Sequence, residues 1–338
     1  VIGETSRAAN WSIYGYNRNT NPELTKIKGL TAFSHVLTES NTTHKSVPML
    51  MSSVTAHDFN SIYRQKGIIT AFKEAGYRTA FFSNQRYNHS FIDFFGKEAD
   101  ICDFIKEDTG NGGYNPSDDE LLKLVAAELA ENVSKQFIVL HTYGSHFNYR
   151  ERYPADNAFF LPDFPVDAEL KYKDNLINAY DNSIRYTDNF LARLIRMLQE
   201  QDIDAAMLYT SDHGEDIFDD DRHLFLHASP VPSYYQIHVP FLIWMSDNYR
   251  KNYPDFFKNA EINRQKNISS SASFFQTMLE LGGIDTPSRN DSLSVINASY
   301  TEKNRVYLND HNEARSLNDI GMREEDFTML QMKGIVYR

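Results

Sequence analysis

Ala205-Ala206-Met207-Leu208-Tyr209-Thr210-Ser211-Asp212-His213-Gly214-Glu215 is the stretch from which the rest of the chain can be read. The apolar run Ala205–Tyr209 predicts a short buried β-strand. Asp212 and His213 then fall past its carboxyl end, the edge where open α/β sheets place their active sites. A carboxylate beside an imidazole, ahead of a tight Gly214, suits a divalent metal held against that edge. Asp-His-Gly alone fits a capping Asp and a surface His equally well. A second strand-end acid, Glu4 in Val1-Ile2-Gly3-Glu4-Thr5-Ser6-Arg7, tips the reading. Two acids and a His from distant parts of the chain, each after an apolar strand, predict one convergent site.

Working outward, Ile68–Ala75, Gly76 and Tyr77–Ser83 predict helix, glycine stop and strand, half of a βαβ unit. Leu121–Glu131 predicts an amphipathic helix, and Phe137–Leu140 a buried strand ending at His141. Apolar residues at helical spacing, among them Ile177, Tyr180, Ile184, Leu191 and Leu198, predict a long helix over Asn175–Gln201. Val239–Trp244 predicts a strand and Ala272–Leu281 a helix. The segment from Glu4 to Asn41 reads as irregular and polar, and Met49-Leu50-Met51 as a helix start. Arg305–Leu308 and Thr328–Tyr337 are strand candidates for a small C-terminal edge sheet. Alternating strands and helices predict an α/β fold with a doubly wound, mainly parallel central sheet.

The 338 residues suffice for one large α/β core, and residues 1–338 are expected to form a single catalytic domain. Lys and Arg number 34 against 46 Asp and Glu, a net charge of −12, which argues against a nucleic-acid partner. One cysteine, Cys102, excludes an intrachain disulfide. No apolar run is long enough to span a bilayer. The chain opens inside what reads as a strand, so an upstream part is expected to be missing.

Several segments together resemble the periplasmic catalytic domain of the lipid A phosphoethanolamine transferases, colistin-resistance enzymes included, within the alkaline phosphatase and sulfatase superfamily. They are Val1 through Asn10, Gly15 through Pro22, Thr43 through Pro48, Leu140 through His146, Ala179 through Ile184, Ser211 through Glu215, and Leu226-His227. All run in the family's order. Three positions depart from it: Glu39 and Met49 stand where the family often has paired cysteines, and Ala228 where a glycine is common. The stretch from Glu215 to His227 is also long and rich in acid, and its run Asp219–Asp221 reads as a solvated loop.

The resemblance implies an alkaline phosphatase-like fold and a zinc-dependent transfer of phosphoethanolamine. The donor would be phosphatidylethanolamine, and the acceptor lipid A or another envelope glycan. The setting would be the periplasmic face of the bacterial inner membrane, with the missing upstream part embedded in that membrane. By matching residues, Thr43 is the nucleophile, with Thr42 one residue away as the alternative. Glu4, Thr43, Asp212 and His213 would hold one tight Zn²⁺; mixed oxygen and imidazole donors favour zinc over calcium or magnesium. His146 and His227 would bind the substrate phosphate or a second, weaker zinc. His141 is open between structure and function; His223 and His238 read as structural or surface residues.

A sulfatase or phosphodiesterase is the rival chemistry. Ser46-Val47-Pro48-Met49-Leu50 mimics the start of a formylglycine signature, but Leu50 replaces its arginine, which argues against a sulfatase. A phosphoglycerol transferase, with the same metal and a Thr nucleophile, is the nearer alternative.

Overall fold

A computed structural model describes residues 1–106, 115–164 and 167–337. The chain starts with β1 (Ile2–Gly3), β2 (Leu30–Phe33) and β3 (Val36–Leu37), then enters helix α1 (Thr43–Leu50). Next come β4 (Arg78–Ser83), β5 (Ile101–Phe104), β6 (Gln136–His141) and β7 (Ala206–Ser211). The long helix expected over Asn175–Gln201 spans Lys173–Gln199, between β6 and β7. β8 (Asp216–Ile217) pairs with β9 (Phe225–Leu226) ahead of β10 (Phe241–Met245). β11 (Ile268–Ser269) pairs with β3, and β12 (Val306–Leu308) with β13 (Ala314–Ser316).

The central sheet has seven strands in the order β2-β10-β7-β1-β6-β4-β5. Neighbours are parallel except where β10 meets β7 and β2. The sheet is therefore mixed and mainly parallel, with one reversed strand beside an edge. Alternate residues feed opposite faces, as the two-residue strand period requires. Ile2, Phe81, Leu208 and Ile243 join one hydrophobic cluster, and Phe82, Leu140, Tyr209 and Trp244 the other. Burial on both faces explains why these strands read as unbroken apolar runs.

Three expectations need correction. The segment before Asn41 is not wholly irregular: β2 and β3 lie in it, and β2 is the sheet's edge strand against β10. Helix α1 starts at Thr43, ahead of Met49. Thr328–Tyr337 is no strand: helix Glu324–Met332 takes its first half, and a turn and irregular chain follow. Three acids fill that helix's first turn, where the helix dipole favours them, and the Asp326 carboxylate accepts from the Arg323 backbone N–H. Among the described residues, no helix is long and apolar enough to cross a membrane.

Candidate active site

β1 lies between β6 and β7, with Ile2 opposite both His141 and Thr210 and Gly3 opposite Ser211. The residues that leave these strands at their carboxyl ends therefore emerge side by side: Glu4, Thr142 and Asp212. The Asp212 backbone N–H donates to the Gly3 carbonyl at 3.1 Å, and that of Ser145 to the Glu4 carbonyl at 3.0 Å. Gly144 lets the loop after β6 come this close. Its φ is +48°, and a Cβ there would meet the Glu4 carbonyl oxygen at 2.6 Å.

Glu4, Asp212 and His213 each present one ligand atom, all within 4.8 Å of one another, and all three side chains are buried. The Thr43 hydroxyl, on the first residue of α1, stands 3.1 Å from His213 Nε2 and 3.2 and 3.3 Å from the two Glu4 oxygens. His213 Nδ1 lies 2.9 Å from the Gly214 carbonyl, which can only accept. Nδ1 therefore carries the proton, and Nε2 turns its lone pair toward Glu4, Asp212 and Thr43. Asp212 Oδ1 accepts from the Thr5 and His213 backbone N–H groups, while its buried Oδ2 accepts no hydrogen bond. An unsatisfied carboxylate oxygen facing an imidazole lone pair fits a cation.

The electrostatics agree. Burial, then the charge of Asp212, holds the Glu4 carboxyl well above the usual carboxylate range. Burial pushes Asp212 up to about 6. Burial, then His227, holds His213 well below its ordinary value, so its ring is neutral. Two carboxyls that resist ionisation unaided are what a divalent ion at their centre would relieve.

Thr42 is the residue before α1, and its hydroxyl lies 3.3 Å from Ser40 Oγ. Of these two threonines, Thr43 is the one whose oxygen lies on the triad. The His227 ring lies 4.1 Å from that of His213, tilted by 39°, and the His146 ring lies 6.4 Å from His227. His146 Nδ1 contacts the Phe147 carbonyl at 2.6 Å, so its Nε2 is also a free lone pair. The structure thus brings all six predicted residues to one sheet edge. His141 is fully buried and pushed down to about 3 by that burial, a neutral core residue. His238 is held between the Tyr234 hydroxyl and the Ser34 carbonyl.

Sequence reading missed two polar residues here. Gln85, just past β4, donates to Glu4 Oε2 at 3.1 Å. Glu215 is fully buried with both carboxylate oxygens unbonded, 3.6 Å from His227 Nδ1. Gln85 could have been found from its place two residues after a well-marked strand. The acid run is not a solvated loop: Asp219 pairs with buried Arg7 at 2.6 Å, and Asp220 and Asp326 clamp Arg222. Only Asp221 reaches far into solvent. Ala228 takes the left-handed backbone (φ +64°) for which glycine is favoured. Glu39 and Met49 are both buried, Glu39 accepting from Ser271 Oγ.

A model of the Sulfatase family matches residues 1–284. The chain belongs to the sulfatase family. It is 26% identical over 316 residues to phosphoethanolamine transferase EptC of Escherichia coli O18:K1:H7, an alignment covering 90% of this chain and 54% of that protein. It is 33% identical over 258 residues to the Kdo(2)-lipid A phosphoethanolamine 7''-transferase of Escherichia coli K12, covering 75% and 45%. The chain thus spans about half the length of these curated relatives. A zinc complex of the C-terminal periplasmic domain of EptC from Escherichia coli has the same fold. It superposes with a TM-score of 0.84 at 24% identity, covering 95% of this chain and 92% of that one.

Proposed function

We propose that residues 1–338 are the catalytic unit of an enzyme that moves phosphoethanolamine from phosphatidylethanolamine to lipid A or another envelope glycan. The reaction is placed at the periplasmic face of the inner membrane, where both amphiphiles meet. One observation carries this reading: the Thr43 hydroxyl stands within 3.3 Å of a buried Glu4–His213 pair at a sheet edge. The names of the relatives supply the transferred group and the acceptor class.

Glu4, Asp212, His213 and Thr43 hold one tight zinc. When bound, it supplies positive charge that favours the ionised Thr43 oxygen and offsets charge on the phosphoryl oxygens. Thr43 attacks the donor phosphorus, and the bond from phosphorus to the diacylglycerol oxygen breaks. The proton lost by Thr43 ends on diacylglycerol. An acceptor hydroxyl oxygen then bonds to that phosphorus as the bond to the Thr43 oxygen breaks, and the acceptor's proton returns to Thr43. Gly214 fixes the His213 tautomer, and Gln85 and Thr5 orient the Glu4 carboxylate. His146 and His227 orient the donor phosphate, or hold a second, weaker zinc.

Intact mass spectrometry after incubation with phosphatidylethanolamine tests the reading. An adduct of one phosphoethanolamine group, mapped to Thr43 and absent from Thr43→Ala, is the expected result. The same adduct on Thr42, or a phosphoglycerol adduct formed in preference from phosphatidylglycerol, overturns it.

A further inference from the structure

A cleft of about 210 Å³ opens beside Thr43, with Gln85, Lys106, Tyr143 and His146 in its wall. Lys106 stands just past β5. Its side chain is only 8% exposed, and its ammonium sits 3.2 Å from the centre of the Tyr143 ring. Among the described residues, no carboxylate comes within ion-pair distance of it. The guanidinium of Arg152, also buried, lies 4.1 Å from the same ring. Arg152 donates to the Asn148 carbonyl at 3.2 Å and to Glu151 at 3.0 Å. His146 stacks on Tyr143 with ring centres 4.8 Å apart.

Two buried cations share one aromatic ring, and among the described residues only Arg152 of the two has an acid, Glu151, paired with it. Burial first, then Arg152 and Arg86, pushes the Lys106 ammonium down to about 8. Asp118 and Glu151 act the other way. The lone pairs of Asp118 are already engaged by the Tyr143 and Gly144 backbone N–H groups and by Asn84. An oxyanion entering the cleft would meet an ammonium that no carboxylate among the described residues pairs.

We propose that Lys106 and Arg152, gathered on Tyr143, form a subsite for an oxyanion of the acceptor: a phosphate or carboxylate on the sugar that receives the phosphoethanolamine group. This rests on the proposed transfer reaction, because it assigns the acceptor side of the same cleft. The donor headgroup fits poorly here. It carries one phosphate, which must sit at Thr43, and an ammonium, which the two cations repel. An acceptor bearing an anion beside its hydroxyl would be drawn in and held next to Thr43.

Calorimetric titration of the zinc-loaded protein with glucosamine 1-phosphate and with glucosamine tests this. The phosphate-bearing sugar is expected to bind at least about 10-fold tighter, the worth of one charge-assisted hydrogen bond. Lys106→Gln should abolish that preference and Lys106→Arg should keep it. In the wild type the preference should fade as pH rises through about 8, where Lys106 loses its proton. In Lys106→Arg it should persist, because arginine stays charged; a purely structural lysine would show no such difference. A preference that survives Lys106→Gln, is missing from Lys106→Arg, or vanishes on chelating the zinc overturns the subsite. Absence of any preference in the wild type, both for glucosamine 1-phosphate over glucosamine and for glucuronate over glucose, overturns it as well. Failure of the transfer reaction is read separately, as absence of the Thr43 adduct in the wild type, and leaves the titration result standing.

Discussion

Arg7 and Asp219 form a buried ion pair of 2.6 Å that ties the segment after Glu4 to the loop after Asp212-His213. Arg7 is further fixed by Asn10 at 2.6 Å and by the Glu215 carbonyl at 3.0 Å, so it cannot follow its partner out. Asp219→Ala therefore leaves a buried guanidinium without its counter-charge, and should cost about 3 kcal/mol of stability. Urea unfolding measures this. A loss within experimental error of zero would mean that water replaces the carboxylate at no cost.

Gly144→Ala is expected to damage the metal site without touching a ligand. An added Cβ would strike the Glu4 carbonyl, and alanine resists a φ of +48°. The strain alone should exceed about 1 kcal/mol, and the shift of Glu4 should weaken zinc binding. Competition with a chromophoric chelator reads the affinity; an unchanged value would show that the loop yields and Glu4 stays in place.

Removing zinc should reverse the pH dependence of stability. The metal-free Asp212 carboxyl is raised to about 6. Stability contributed by its protonated form is present below its ordinary range and is lost as pH rises through about 6. Chelated protein should lose melting temperature across that rise, whereas zinc-loaded protein, whose carboxylates are already ionised on the cation, should hold or gain. Parallel melting curves with and without chelator would count against the assigned ligands.

Glu39 gives a second pH effect, independent of the metal. Burial raises its carboxyl to about 7, so its favourable contribution is lost as pH rises through about 7. Ionised at pH 8, it should cost the fold about 3 kcal/mol. Glu39→Gln should remove this and raise stability at about pH 8 while changing little at about pH 5. A Gln variant with the same pH slope as the wild type would show that another group is responsible.

Much of the sheet was legible because its central strands are buried on both faces. Ala205–Tyr209 and Phe137–Leu140 are apolar runs, and the acid or imidazole just beyond such a run marks the catalytic edge. β2 was illegible: Leu30-Thr31-Ala32-Phe33 is four residues long, and its place is set by β10, some two hundred positions away. The C-terminal helix was hidden because Ile335-Val336-Tyr337 imitates a strand, while its real signals are the acids at 324–326. The triad could be guessed from residue types, and Gln85 only from its place just past β4, since glutamine carries no motif. Lys106 could not be guessed at all, because it matters only through its place on Tyr143. The arginine partners of Asp219 and Asp220 were likewise invisible in a run of like charge.

The central position of β1 has a consequence for how the protein matures. Its two residues must slot between β6 and β7, and the Thr5 N–H reaches Asp212 across 207 positions of sequence. Such closure is entropically costly and kinetically slow compared with local pairing. Until β1 docks, Asp212, His213 and Thr43 can lie close together without Glu4. Seating of β1 is in that sense a condition for completing the Glu4–Asp212–His213 cluster.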